Sequence, residues 1–172
     1  MNVECFQTLG ELELRQAESG PGLLTGVALR FGERAKLPGG RTEEIRPGGL
    51  VPSVRVYANR QHERGRHLGV SPGNLSLVID NKEVRVALQL PDTTLGRDVA
   101  TEVRMGILQG LSVEFRPIRD KWAGFHRIVE QATLAGIGVV DTGAYGGDSL
   151  SIREQDTGAH VGWSKATNWR VF

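Results

Sequence analysis

With 172 residues, the chain fits one domain of ordinary size and can bury a substantial core without disulfides or metals. Its 21 basic and 20 acidic residues nearly cancel, which argues against a nucleic-acid or membrane partner held by bulk charge. Cys5 is the single cysteine and no long apolar segment is present, which excludes an internal disulfide or multi-cysteine zinc site and predicts an intracellular protein without signal peptide or transmembrane helix.

The first half of the chain is typical of β-structure. Its short β-branched runs are separated by turns, and the whole chain has 23 glycines but seven prolines, a pattern that favours strands over a helical bundle. We expect strands at residues 23–31 and 54–58, with a short extended segment at 43–48 between them. The second strand leads straight into His62, which is predicted to lie at or just beyond the strand end, where it would be accessible.

The second half begins with the clearest elements. Residues 75–79 and 84–90 flank a polar turn and predict a β-hairpin. A helix follows, because helix-starting residues at 91–94 precede apolar residues at helical spacing as far as Leu108, with Gly110 as its stop. The helix leads directly into a strand at 111–116, so Ser112 is predicted at the start of a strand entered from a helix.

The remaining segments are less regular. A loop is predicted at residues 121–124, followed by strands at 126–129 and 134–140. A turn-rich segment precedes a short strand at 149–153, and the polar tail from residue 154 is expected either to be disordered or to dock by its aromatic residues.

Ser112 and His62 are a candidate nucleophile and general base. A serine hydroxyl needs an adjacent base to attack a carbonyl, and histidine can supply one near neutral pH. Neither residue is specific alone, because a serine in a strand or a histidine in a loop is commonly structural. That structural interpretation also applies to His67 and His126, and His160 lies in the tail.

Three common site motifs are missing. No His-Glu-x-x-His or comparable spacing supports a metal site, and the glycine-rich segments lack the lysine of a phosphate loop. Glu114 stands where the second glycine of Gly-x-Ser-x-Gly would be, which argues against an α/β-hydrolase.

Six fragments nevertheless follow one another in a meaningful order. They are the opening strand with Gly26 and Phe31; Glu44-Ile45-Arg46-Pro47-Gly48-Gly49-Leu50; Gln61-His62-Glu63 with Leu68-Gly69; Leu90-Pro91-Asp92-Thr93; Gly110-Leu111-Ser112-Val113-Glu114-Phe115; and Leu134 through Val140-Asp141 to Ala144-Tyr145. In this order the chain, over about residues 23–154, resembles the prohead serine proteases of tailed phages whose capsids assemble in the manner of phage HK97. That family is similar in fold to the herpesvirus maturation proteases.

The resemblance implies a mainly β (α+β) fold, a partly open β-barrel flanked by a few helices, as in the herpesvirus proteases. It predicts a protease domain over residues 1–154, with its core from about residue 23. Residues 155–172 would form a C-terminal tail that is flexible or removed by autoprocessing. The oligomeric state stays open, with a homodimer as one alternative.

The resemblance also implies a serine endopeptidase that works through an acyl-enzyme, with Ser112 as nucleophile and His62 as general base and with no cofactor. Its substrates would be the amino-terminal arms of the major capsid protein and segments of the scaffold. Cleavage would take place inside the immature procapsid in the host-cell cytoplasm, for an infecting phage or a prophage. Nucleic acid and membrane are not among the expected partners.

The third catalytic residue is open at the level of sequence. Many relatives have a glutamate in the strand before the Ala-Tyr segment, but here that stretch reads Ala135-Gly136-Ile137-Gly138. Glu114 is the preferred substitute, because residues i and i+2 of a strand face the same side. Asp141 and Asp80 are the other candidates, and either could be a turn residue.

The missing acid also supports an alternative function. A capsid-associated or scaffold-associated module could keep the protease fold without catalysis, since a fold does not determine a function.

Overall fold

The computed structural model describes residues 4–8, 12–17, 20–37 and 39–141, and the following elements lie within these ranges. In chain order they are β1 (Glu4–Thr8), β2 (Leu12–Arg15), β3 (Leu23–Arg30), β4 (Ala35–Leu37), β5 (Arg41–Ile45), β6 (Leu50–Arg60), β7 (His67–Ser71), β8 (Leu75–Ile79), β9 (Glu83–Gln89), α1 (Thr94–Arg104), β10 (Gly110–Ala123) and β11 (His126–Val140).

The larger sheet of the described residues has seven strands and is built around the long antiparallel hairpin of β10 and β11. Strand β1 pairs with the other edge of β10, also antiparallel. Strand β11 pairs in parallel with β5 near its start and with β6 farther along, and β7 pairs with β6. Strand β10 thus has one neighbour, β11, that follows it directly in the chain and one, β1, that comes from a distant part of it.

The smaller sheet, as far as the chain is described, has four antiparallel strands in the order β2-β3-β9-β8. The predicted hairpin is confirmed as β8 and β9. At its turn the Asp80 carboxylate accepts hydrogen bonds from the backbone N–H groups of Lys82, at 2.7 Å, and Glu83, at 2.9 Å. An aspartate at this position commonly forms such bonds to the backbone two residues on and so stabilises the turn.

One core joins the two sheets and the helix. Alternate apolar residues of the strands face inward, and Val99, Ala100 and Val103 of α1 are buried with them. Phe115 of β10 is among the largest fully buried side chains. Thr93 caps the helix, its hydroxyl accepting a 3.1 Å hydrogen bond from the N–H of Gly96, as its type favours at this position.

The mainly β prediction is confirmed, but the expectation of a few helices is wrong for the described residues, which contain α1 alone. The strands of these residues form two sheets without a closed barrel, and the likeness to herpesvirus proteases stays a prediction.

Two details of the predicted layout are also wrong. Residues 126–140 form one strand, and β10 runs on through most of the predicted loop at 121–124. The hairpin ladder holds this polar stretch extended, although its composition favours a loop. The predicted strand at 149–153 and the tail lie outside the described residues.

Candidate active site

Ser112 lies in the middle of a row of residues that crosses the larger sheet. It pairs with Gln7 of β1 on one side and with Gly138 of β11 on the other, and Gly138 pairs in turn with Asn59 of β6. Directly opposite residues of neighbouring strands face the same side of the sheet. Ser112 is fully buried, and its partner Gly138 carries no side chain on this face.

His62 lies in a tight turn directly after β6, as its place in the sequence predicts. Gln61 and His62 have φ values of 50° and 58°, a left-handed conformation that non-glycine residues rarely adopt. Backbone hydrogen bonds hold this turn, from the N–H of Gln61 to the carbonyl of Val139 and from the N–H of Glu63 to the carbonyl of Arg60, both 2.9 Å long. Such strain is often found at functional sites.

The His62 turn is also tied to the helix that precedes β10. The Arg60 guanidinium donates two hydrogen bonds to the Glu102 carboxylate of α1, from Nε at 2.8 Å and from Nη2 at 2.7 Å. These bonds lower the pKa of Glu102 and so keep its carboxylate charged. A two-pronged pair of this kind fixes direction as well as distance. This ion pair therefore joins the turn that carries His62 to α1, the helix that precedes the strand of Ser112.

The His62 ring lies directly over Gly138. A Cβ atom built on Gly138 would be 2.4 Å from Cε1, 2.7 Å from Nε2 and 2.8 Å from Nδ1 of the ring. Opposite Cβ positions in a sheet are about 5 Å apart, so the ring lies next to the side chain of Ser112. The sequence predicts an accessible histidine, but the His62 side chain is only 16% exposed, because the turn folds it back onto the sheet.

Glu114 binds the other side of the ring. Its Oε1 atom is 2.6 Å from Nδ1 of His62, and the carboxylate can only accept this hydrogen bond, so Nδ1 donates. Nδ1 protonation leaves Nε2 as the basic nitrogen of the neutral ring. Glu114, two residues after Ser112 on the same strand, thus binds the histidine from the face of β10 that also carries Ser112.

Glu114 is held in its ionised form. Burial would raise the pKa of its carboxyl group, but the hydrogen bond and charge of His62, a hydrogen bond from Asn59 and the charge of Arg64 together lower it below its usual value. His67 completes this network, because its Nδ1 atom lies 2.6 Å from Oδ1 of Asn59. No sequence motif indicates that Asn59 or His67 belongs to the site, because their contacts depend on the pairing of β6 with β7 and β11.

Gly136 leaves room for the Glu114 carboxylate. The two residues are paired across β10 and β11, and a Cβ atom on Gly136 would be 3.1 Å from the Glu114 carboxylate and 3.2 Å from the carbonyl oxygen of Tyr57. Next to this pair, β11 has a bulge at Ala135, an irregularity that is frequent beside active sites. The position where many relatives have an acid therefore lies beside an acid that comes from the opposite strand.

The two other acidic candidates lie elsewhere. Asp80 is in the β8–β9 turn of the smaller sheet, where it binds backbone amides and Arg85. Asp141 is exposed and its backbone N–H contacts the Gln61 side chain at 3.4 Å. Of the three candidate acids, Glu114 is the one whose described contacts include His62.

The close approach of ring and backbone makes Gly138→Ala a sharp test of this geometry. The new methyl group cannot share its position with the His62 ring, so the ring must move by an ångström or more. We expect kcat/KM for peptide cleavage to fall about 100-fold, because misplacing a catalytic group by about 1 Å has an effect of that order. Steady-state kinetics measures the loss, and Gly136→Ala, with its wider 3.1 Å contacts, is expected to lose less.

Gly124→Ala is the matched control. Gly124 has a φ of 62° in the β10–β11 turn with open space around it, so alanine there strains the backbone without touching the site. We expect it to lower the free energy of unfolding by about 1 kcal/mol and to leave cleavage unchanged. Equal activity of Gly138→Ala and Gly124→Ala would contradict the placement of the ring.

Comparison with protein families identifies the family of the chain. The model of the caudovirus prohead serine protease family matches residues 10–161. The chain belongs to this family. Comparisons with curated proteins and with solved structures gave no match.

As a prohead serine protease, the chain is a peptide-bond hydrolase, and the resemblance read from the sequence is confirmed. In the part of the chain that the structure describes, His, Cys, Asp and Glu side chains form no group of three suited to a metal ion. Within the same ranges, no helix has the length and apolar character needed to cross a bilayer.

Proposed function

We propose that Ser112, His62 and Glu114 are the catalytic triad of this prohead protease. The observation that carries the proposal is the position of the His62 ring, which is hydrogen-bonded to Glu114 at 2.6 Å and lies over Gly138, directly opposite Ser112. Nucleophile, base and orienting acid are recognised by this kind of mutual geometry and not by their order in the chain.

The chemistry follows the protonation state of the ring. Nε2 of His62 takes the proton of the Ser112 hydroxyl while Oγ attacks the peptide carbonyl, and the resulting imidazolium then protonates the leaving amine. Water, activated by the same nitrogen, cleaves the acyl-enzyme and releases Ser112. Glu114 keeps Nδ1 protonated and stabilises the imidazolium charge throughout.

The substrates of this reaction are, in our proposal, the proteins of the immature capsid. The amino-terminal arm of the major capsid protein and segments of the scaffold are the expected cleavage sites, and the cleavage is expected inside the procapsid in the host cell. Family membership supports capsid and scaffold proteins as the substrate class.

The non-catalytic alternative has little left to support it. It rested on the missing acid at Gly136, and the described structure offers Glu114 across the strand from that position. Family membership likewise indicates a serine protease.

A fluorophosphonate probe tests the proposal, because it reacts covalently with an activated serine hydroxyl. After an incubation of several hours, mass spectrometry of the digested protein is expected to find one adduct, on Ser112. His62→Ala is expected to abolish this adduct because the base is lost. His126→Ala is the matched control, since His126 is a partly buried histidine bonded to Thr42 and Glu44. A wild-type chain without the Ser112 adduct would overturn the proposed nucleophile.

A further inference from the structure

The burial of Ser112 raises a problem for catalysis. A substrate carbonyl has to come within bonding reach of its Oγ atom, yet Ser112 is fully buried and its strand is paired with β1 on one side and β11 on the other. A protein segment beside it must therefore move before a peptide can be cleaved.

Strand β1 is the neighbour that can leave most easily. It has five residues, lies at the end of the larger sheet and, among the strands of the described ranges, pairs only with β10. Strand β11, by contrast, is paired on both sides, with β10 on one and with β5 and β6 on the other. Removing β1 breaks one short ladder, whereas removing β11 would take the sheet apart.

The attachment of β1 is suited to release. The Glu4 carboxylate forms an ion pair with Arg127, which also binds Asp120 and, at 2.8 Å, the buried Glu43. These two acids keep Arg127 paired when Glu4 departs, so no buried charge is left without a partner. Burial would lower the pKa of Arg127, but its hydrogen bonds to Glu4 and Asp120 and the charges of Glu43 and Glu4 raise it. Because a guanidinium is not deprotonated in proteins, Arg127 also stays charged after Glu4 departs.

The departure of β1 would expose the edge of β10 beside the serine. A free strand edge presents unpaired N–H and C=O groups, which an extended peptide can bind as an added strand. A peptide in the register of β1 would place one of its residues opposite Ser112, where Gln7 lies now.

We propose that β1 occupies, within the same chain, the binding position of an extended peptide substrate and must leave before cleavage. This inference rests on the proposed role of Ser112 as the nucleophile. Substrate and β1 compete for one edge. The measured affinity for peptides is therefore the affinity of the open edge multiplied by the fraction of chains in which β1 has left.

The first test weakens the attachment of β1. Glu4→Gln removes its ion pair with Arg127, and the rate of Ser112 labelling by the fluorophosphonate probe is expected to rise about two- to fivefold, the range for a partly exposed ion pair. Glu13→Gln is the matched control. Glu13 belongs to β2 and pairs with the exposed Arg15, so its loss is expected to leave the labelling rate unchanged.

The second test locks β1 in place. Phe6 and Val113 are directly paired, and the Cα atoms of such pairs, about 4.5–5.5 Å apart, suit a disulfide. The double variant Phe6→Cys and Val113→Cys, made with Cys5→Ser, is expected to label at least about tenfold more slowly when oxidised, since opening then requires the bond to break. The reduced form of the same protein is its control.

The outcomes separate the two proposals. Faster labelling of Glu4→Gln together with slow labelling of the oxidised variant supports the competition of β1 with substrate. Equal rates in wild type, Glu4→Gln and the oxidised variant, all with the adduct on Ser112, overturn it and leave the nucleophile in place. An absence of the Ser112 adduct in every form overturns the proposed function itself.

Discussion

Ser112→Ala is expected to lower the rate of capsid-protein cleavage about 10⁶-fold, the loss typical of serine proteases that lose their nucleophile. The alanine leaves no Oγ atom to form the acyl-enzyme, and His62 has no proton to take. Co-expression with the major capsid protein of the same phage, followed by intact-mass measurement of that protein, detects the loss as an uncut amino-terminal arm.

Ser76→Ala is the control for this variant. Ser76 is an exposed serine of β8 in the smaller sheet. Its replacement is the same serine-to-alanine change, made outside the proposed site. Both variants are expected to keep the wild-type circular dichroism spectrum, because each removes one hydroxyl group without creating a large cavity. Normal processing of the capsid protein by Ser112→Ala would exclude Ser112 as the nucleophile.

Local patterns were sufficient for some elements of the fold. The β8–β9 hairpin has alternating apolar residues around a polar turn, and α1 has Val99 and Val103 at helical spacing, so each is determined by residues close together in the chain. The length of β10 and β11 was missed because long-range pairing, and not local composition, holds residues 116–123 extended.

The site shows the same division between local and long-range information. Glu114 could be placed beside the histidine because two-residue spacing puts it on the face of Ser112. The roles of Gly136 and Gly138 could not be predicted, because they depend on which residues of β11 lie opposite β10. From the sequence alone, Gly136 can be interpreted only as the loss of an acid, whereas the structure shows that it leaves room for the Glu114 carboxylate.

Strand β1 illustrates the limit most clearly. Nothing in residues 4–8 indicates a partner more than a hundred positions away, and the pairing of Gln7 with Ser112 is a property of the folded chain alone. The ion pair of Glu4 with Arg127 is equally distant in sequence. The proposed competition between β1 and substrate therefore depends on structure and has no counterpart in the motifs.

Glu114→Gln is expected to lower kcat about 10³- to 10⁴-fold while KM changes little. The glutamine amide can donate to Nδ1 of His62 and so favour the ring form whose Nε2 is protonated and cannot act as a base. Its lost charge also destabilises the imidazolium, which moves the acid limb of the pH–rate profile to lower pH. Steady-state kinetics over a range of pH measures both effects.

The pH dependence of stability tests independently whether the pKa of the Glu114 carboxyl group is lowered in the folded chain. Its pKa is lowered in the folded chain, so ionised Glu114 stabilises the fold above the ordinary carboxyl pKa, and this stabilisation disappears as the pH falls through the lowered value. We therefore expect the difference in Tm between wild type and Glu114→Gln to shrink on acidification.

Glu130→Gln separates stability from catalysis. Glu130 is a glutamate of β11 whose pKa is also lowered, chiefly by a hydrogen bond from Lys121, with Arg119 and Arg46 nearby. Its variant is expected to show the same sign of pH-dependent stability change and wild-type kcat, because the described contacts of Glu130 are with these surface cations. If Glu114→Gln behaves like Glu130→Gln, Glu114 is a structural ion-pair residue. A loss of kcat and a shifted acid limb confined to Glu114→Gln would instead make it the acid that orients His62.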